Sequence, residues 1–299
     1  MDGSKKVAII TRTKDRPLLL KRAISSVMNQ TYKNYVHIIV NDGGPLEKQT
    51  LTGGTIVAPF SSGGRMEASS NEGLRIARLQ GAQYVVIHDD DDSWSPEFLS
   101  IMVKEIETYK NLVPTVKGIL CRVNLVFEHI DGNIISTDHL APHIPYLPEM
   151  GLLRYSDLLD DHKNFAPIQF MYELDATDVV GEYDPTYRVY GDWDFNLRFL
   201  QHYDIALIPN YLAFHHQRMT ASGADANSIY EIDRKLQREV YRQRIQNKYM
   251  REGSIGDLMN ARWDQVQDQL NHLQHEVHEL RNALQKKEHK HAKRTSKSH

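Results

Sequence analysis

YVVIHDDDDSWSP, residues 84–96, decides how the chain is read. A short apolar run rich in β-branched residues reads as a buried strand, and this one runs straight into four aspartates. Upstream, VAIIT (7–11) and VHIIV (36–40) repeat the form, ending at Thr11-Arg12 and at Asp42. LLLKRAISSVMNQ (18–30), with Pro17 near its first turn, and Glu67–Gln80, closed by Gly81, have helical spacing. Strands alternating with helices predict an α/β fold built on a doubly wound, mostly parallel sheet flanked by helices. Ligands in such sheets gather beyond the carboxyl ends of the strands, where Thr11, Arg12, Asp42 and Asp89–Asp92 fall.

The chain has 299 residues, 40% of them hydrophobic, which suits one large core or two lobes and excludes wholesale disorder. No run approaches 18 apolar residues, and MDGSKK leads directly into the first strand. Neither a spanning helix nor a secretory signal is therefore expected. The single cysteine, Cys121, excludes a disulfide framework and a thiolate zinc site, and fits a reducing, cytoplasmic setting. The net charge of −3 conceals a basic tail: residues 286–299 carry six Lys/Arg against one Glu, which leaves −8 on the rest. An acidic body argues against nucleic acid as a partner.

Beyond the aspartates the pattern loosens. Residues 131–167 hold four prolines and several histidines and read as a long loop region. IQFMYEL (168–174) and IALIP (205–209) read as strands, and GDWDFNLRFLQHY (191–203) as a helix. Near the end, Met259, Trp263, Val266, Leu270, Leu273, Val277, Leu280 and Leu284 alternate at spacings of four and three. This is a heptad seam, with Glu276 and Arg281 at flanking positions. It predicts a coiled coil over 255–287 that joins copies of the chain, the alternative being an amphipathic helix docked on its own domain. His272, His275 and His278 occupy outer heptad positions and read as solvated surface.

Asp89–Asp92 carries the sharpest chemistry. On an extended chain Asp89 and Asp91 point the same way, and crowded carboxylates resist joint ionisation unless a cation sits among them. Hard oxygen ligands in an incomplete shell suit Mg²⁺ or Mn²⁺ bridging phosphates. The competing reading is a solvated acidic turn. In Gly191-Asp192-Trp193-Asp194, Asp192 reads either as a helix N-cap or as a general base facing an acceptor hydroxyl. Trp193 would then offer an apolar face to a sugar ring, with Asp194 beside it.

VAIITRTKDRP, NDGG, SSNEGLRIARLQGAQYVVIHDDDDSWSPEFL and GEYDPTYRVYGDWDFNLRF, in that order, resemble the family 2 glycosyltransferases of the GT-A fold. The resemblance covers about residues 5–220. It implies inverting transfer from a nucleotide-sugar donor, with a UDP-sugar the default, and dependence on Mn²⁺ or Mg²⁺. Carried over, Thr11, Arg12 and Asn71 line the donor site and Asp42 meets the base. The DXD motif falls on Asp89-Asp90-Asp91, with Asp91 the direct metal ligand and Asp89 beside it. Asp192 takes the place of the catalytic base. Ala213-Phe-His-His-Gln-Arg218 matches a late family segment loosely and puts His216 at the metal or diphosphate, with Arg218 a phosphate ligand. The chain departs from the family by reading Ser69-Ser70-Asn71 where an arginine usually precedes the asparagine, with Arg65 and Arg75 nearby to stand in. It also has Gly191 where an acidic residue often precedes the base.

The resemblance divides the chain into a nucleotide-sugar half (1–98), an acceptor half (99–225), a helical connector (226–254), the coiled coil (255–287) and a basic tail (288–299). The implied acceptor is a glycan or lipid-linked glycan, as in polysaccharide biosynthesis. The tail adds roughly 1 kcal/mol per basic residue near an anionic bilayer, which would allow peripheral contact with the inner face of the plasma membrane. The rival expectations are a sugar-phosphate nucleotidyltransferase and a non-catalytic sugar-binding scaffold.

Overall fold

The computed structural model of the chain describes residues 5–44, 54–61, 63, 65–143, 148–159, 164–219, 221, 223–227 and 235–252, together with separate positions between 263 and 277. The elements run β1 Val7–Thr13, α1 Pro17–Met28, β2 Tyr35–Asn41, β3 Thr55–Pro59, α2 Met66–Leu79, β4 Tyr84–Ile87, β5 Ser93–Trp94 and α3 Phe98–Leu112. They continue with β6 Val116–Asp131, β7 Ile134–Pro142, β8 Gly151–Leu152, β9 Phe170–Glu173, α4 Thr177–Val180, α5 Gly191–Leu200, β10 Asp204–Gln217 and α6 Lys235–Glu252. The chain divides into a compact unit of residues 1–247 and a second of 248–299.

One sheet runs through the first unit in the order β3-β2-β1-β4-β9-β6-β10-β5. β1 pairs in parallel with β2 and β4, β2 with β3, and β6 with β10. β9 lies antiparallel between β4 and β6, so the two halves expected from the sequence share one sheet, and β5, β7 and β8 add further antiparallel pairs. Every residue of β1 is buried, which explains its unbroken apolar start. Val7, Ile9 and Val86 enter one core with Phe98, Met102 and Ile106 of α3, each such side chain contributing about 1.5–3 kcal/mol by leaving water. Pro17 opens α1, where its missing N–H costs nothing.

The expected loop over 131–167 is corrected in its first third. Residues 116–142 form a long hairpin of β6 and β7, turning at Asp131-Gly132-Asn133 with Gly132 at φ +60°. β7 is mostly exposed, so it lacks the alternating apolar residues that announce a half-buried strand. The late strand is also longer than 205–209. β10 continues to Gln217, so His216 sits on a strand rather than in a loop.

In the second unit the described positions of the heptad segment are helical, and Trp263, Val266, Leu270, Leu273 and Val277 are exposed. Met259, Leu280, Leu284, Arg281 and the basic tail lie outside the described residues. No helix among the described residues is long and apolar enough to cross a membrane.

Candidate active site

The aspartates do not continue β4 in extended form. Asp92 N–H donates to the Asp89 carbonyl at 3.2 Å, closing a turn. The alternation of an extended chain, on which Asp89 and Asp91 were expected to point the same way, therefore does not apply there. β5 then pairs antiparallel with β10, and the backbone N–H of His216 donates to Asp92 Oδ1 at 3.0 Å. This fold-back brings the acidic turn against the end of β10. The turn is acidic but not solvated, since Asp90 and Asp92 are buried.

Arginines from three places in the chain meet these carboxylates, Arg12 at Asp89, Arg16 at both Asp90 and Asp91, and Arg218 at Asp91. Arg12, at the end of β1, donates from Nε (2.8 Å) and Nη2 (2.5 Å) to Asp89 Oδ1, and from Nη1 to Ser70 Oγ at 3.1 Å. Burial disfavours the charge on Arg12, but Asp89 outweighs it and raises the guanidinium's pKa. The family's arginine ahead of Asn71 is thus replaced neither in sequence nor by Arg75, which pairs with Glu72 on the surface. Arg12 supports the acidic motif instead, with the small Ser70 as its ligand.

Asp90 accepts from Thr13 Oγ1 at 2.7 Å and from Arg16 at 3.2 Å. Burial and the adjacent Asp91 push its pKa up to about 7 against the pull of Arg16 and Thr13. Asp91 Oδ2 accepts from Arg16 at 3.3 Å and from Arg218. Burial alone would raise Asp91, but Arg218 and Arg16 hold it below the ordinary carboxylate value.

Behind the turn lies a buried charge network that joins His216 and Arg218 of the late segment to Glu128 and Arg22, which no sequence motif marked. Glu128, on β6, accepts from Arg22 at 2.6 Å, from His216 Nδ1 at 2.7 Å and from Arg218 Nη1 at 2.8 Å. Burial raises its pKa, but the bonds from His216 and Arg22 bring it down to about 2. Arg218 is fully buried and spans Asp91 and Glu128, while its Nε donates to the Asp225 carbonyl at 2.7 Å. Asn227 holds the turn from the same side by donating to the His216 carbonyl at 2.8 Å. A lone Glu in the apolar run VNLVFEHI was the available signal for Glu128, and the basic TRTKDRP for Arg16.

Several sequence-predicted residues have structural employment. Thr11 is fully buried, its hydroxyl 2.9 Å from His37 Nε2. The Asn71 amide is spent on the Tyr183 backbone, donating to its carbonyl at 2.8 Å and accepting from its N–H at 3.0 Å. His216, expected at the metal or diphosphate, has both ring nitrogens in hydrogen bonds here, Nδ1 to Glu128 and Nε2 to Ser93 Oγ at 2.8 Å. Trp193 and Asp194, expected near the acceptor, are turned into the fold. Both are fully buried: Trp193 Nε1 donates to the Leu158 carbonyl at 2.6 Å, and Asp194 pairs with Arg198 at 2.9 Å. Successive helical residues step by about 100°, so Asp192 and its two followers cannot share a face. Asp42 lies half-buried just past β2, its N–H donating to the Thr13 carbonyl at 2.9 Å.

Asp192 itself stands in the first turn of α5. Oδ1 accepts from the Trp193 N–H at 2.8 Å, and Asn164 reaches Oδ2 at 3.4 Å. Burial raises its pKa, opposed by the Trp193 N–H and Arg12, while Asp89 adds to the rise. The base candidate and the acidic turn therefore belong to one electrostatic site.

A divalent cation fits this donor set in part. Asp89 and Asp91 commit one oxygen each to arginine, and the other oxygens make no hydrogen bond among the described residues. They are hard ligands for Mg²⁺ or Mn²⁺ in a shell that substrate phosphates would complete. Among the described residues no three His, Cys, Asp or Glu side chains form a ligand set by themselves.

Comparison with known proteins bears on the family and the fold. The chain is 26% identical over 261 residues to the uncharacterized glycosyltransferase YwdF of Bacillus subtilis (strain 168), covering 85% of this chain and 86% of that protein. S. aureus TarS 1-349 in complex with UDP-GlcNAc superposes with a TM-score of 0.53 at 13% identity, over 82% of this chain and 71% of that one. The longer S. aureus TarS structure gives 0.52 at 12% identity over 71% of this chain, which spans only 36% of that protein. Both likenesses concern the fold. The pattern of glycosyl transferase family 2 matches residues 8–173, more than half of the sequence, and the chain belongs to that family.

Proposed function

We propose that this glycosyltransferase moves a sugar from a nucleoside-diphosphate donor, UDP by default, to a hydroxyl of a glycan or lipid-linked glycan, with inversion at the anomeric carbon. The observation that carries this reading is Asp192, a half-buried carboxylate at the start of α5 whose pKa is raised by burial and by Asp89 and opposed by Arg12. Asp192 accepts the proton of the attacking hydroxyl, a role open to a carboxylate that remains ionised near neutral pH. Arg12 and Arg16 steady the turn, and Asp42 faces the nucleobase. When bound, a divalent cation held by Asp89 and Asp91 would neutralise charge on the departing diphosphate. Family membership sets aside the nucleotidyltransferase alternative.

Calorimetric titration of UDP tests the donor side. UDP binds with Mn²⁺, and binding weakens sharply in EDTA and in Asp89→Asn. Equal binding in all three conditions would remove Asp89 and the metal from the reading.

We also propose that the heptad segment joins copies of the chain, supported by a seam whose described apolar residues are exposed. Leu270→Lys with Leu273→Glu would reduce the mass measured by light scattering to that of one chain while the first unit stays folded. An unchanged mass would return the helix to a surface role. Contact of the basic tail with an anionic membrane is tested by flotation with phosphatidylserine vesicles before and after removal of residues 286–299.

A further inference from the structure

Gly191 opens α5, and the space a side chain would occupy there is already filled. A Cβ on Gly191 would lie 2.3 Å from Glu67 Oε1 and 2.4 Å from its Cγ. Glu67 stands in the first turn of α2, 124 positions earlier in the chain, and is buried. The path that brings it there is fixed by Asn71, one turn on, whose amide grips both backbone polar groups of Tyr183 ahead of α5. Tyr190, the residue before Gly191, holds a left-handed backbone at φ +64°. Such a conformation costs of order 1 kcal/mol or more in a residue other than glycine and clusters at functional sites.

A buried carboxylate is normally paired with a cation. Glu67 makes no ion pair among the described residues, and its carboxylate accepts from its own backbone N–H. The charged groups that act on it are Arg12 from β1, Asp192 from α5 and Asp89 from the acidic turn, all members of the site already described. Burial raises its pKa to about 7, Arg12 opposes the rise, and Asp192 and Asp89 add to it. Glycine is a weak helix former, and alanine at 191 would be the better choice for α5 alone. The helix start instead admits a carboxyl that nothing in the fold requires for pairing.

We propose that Glu67 is a second nucleophile-facing carboxyl of this enzyme, delivered across space into the gap over Gly191, where it and Asp192 together hold the attacking hydroxyl. The proposal rests on the reading of Asp192 as the base. Asp192 removes the proton, and Glu67 hydrogen-bonds the molecule that carries the attacking oxygen and fixes its approach. Water can stand in that position as well as a sugar hydroxyl, so the role can be read without knowing the acceptor.

The test follows release of nucleoside diphosphate from a panel of UDP-, GDP- and dTDP-sugars with water as acceptor, alongside melting temperature and calorimetric UDP binding. Glu67→Gln lowers kcat by about tenfold or more, leaves UDP binding in place, and keeps or raises Tm, because an unpaired buried carboxylate is a cost to the fold. Gly191→Ala, which leaves both carboxyls in the chain but pushes Glu67 aside, lowers kcat to a similar degree. The double variant is no worse than either alone, as expected when both remove one interaction. Unchanged kcat in Glu67→Gln would overturn the proposal. So would a loss of kcat that comes with a fall in Tm and lost UDP binding, which marks a strut and not a substrate contact. Full turnover by Asp192→Asn would instead overturn the assignment of the base, an outcome Glu67→Gln does not mimic.

Discussion

Asp192→Asn leaves UDP binding near wild type and cuts turnover by about 10²–10⁴-fold, the usual worth of a positioned general base. The amide keeps the size of the carboxyl and retains an oxygen for the Trp193 N–H that now bonds Oδ1. The first turn of α5 therefore stays folded and the variant isolates the proton acceptor. Its effect falls on kcat, because the proton moves only as the attacking bond forms. Steady-state release of nucleoside diphosphate, paired with UDP calorimetry, reads both quantities. Turnover equal to wild type would remove Asp192 from the chemistry. Joint loss of turnover and UDP binding would indicate a collapsed site.

Arg218→Met destabilises the first unit by about 3–5 kcal/mol, the cost of stripping one partner from a buried ion network. The guanidinium is fully buried and joins Asp91 to Glu128, so its removal takes a cation from two carboxylates at once and leaves Asp91 to Arg16 and Glu128 to Arg22 and His216. For a domain of this size that energy corresponds to a fall in Tm of roughly 10 °C. Adding Glu128→Gln recovers part of the loss, because one of the two negative charges is then gone. Thermal unfolding followed by circular dichroism decides the matter, and a melting temperature within error of wild type contradicts the network's importance.

The same network sets an acid limit. The Glu128 pKa is depressed in the folded chain to about 2, below its ordinary value of about 4.5. Its contribution is therefore complete above pH 4.5 and is lost as the pH falls toward 2. The tertiary reason for all of this is the parallel pairing of β6 with β10, in which Val126 faces His216 and Phe127 faces Gln217. Glu128 thereby comes within reach of both His216 and Arg218.

The sequence alone determined the class of the fold and the end of the sheet where chemistry gathers. β1, β2 and β4 are buried nearly throughout, so they had to be written as unbroken apolar runs, and such runs are legible. The polar residues that end them had to lie beyond the strands, which fixed Arg12, Asp42 and the aspartates as neighbours before any coordinates. β3 and β7 escaped notice for the opposite reason. They are partly exposed pieces with weak patterning.

What each side chain does was decided by the tertiary structure. Trp193 and Asp194 sit beside Asp192 in sequence yet are fully buried, because a helix turns its successive residues to different sides. The two ring nitrogens of His216 meet Glu128 and Ser93 from other strands, partners that no string of letters shows. Arg12 took over the support of Asp89, and Glu67 entered the gap over Gly191, through contacts between residues 77 and 124 positions apart. A sequence pattern registers burial and periodicity along one strand or helix. Hydrogen bonds and charges act over a few ångströms across elements, and only the packing of those elements determines which groups come that close.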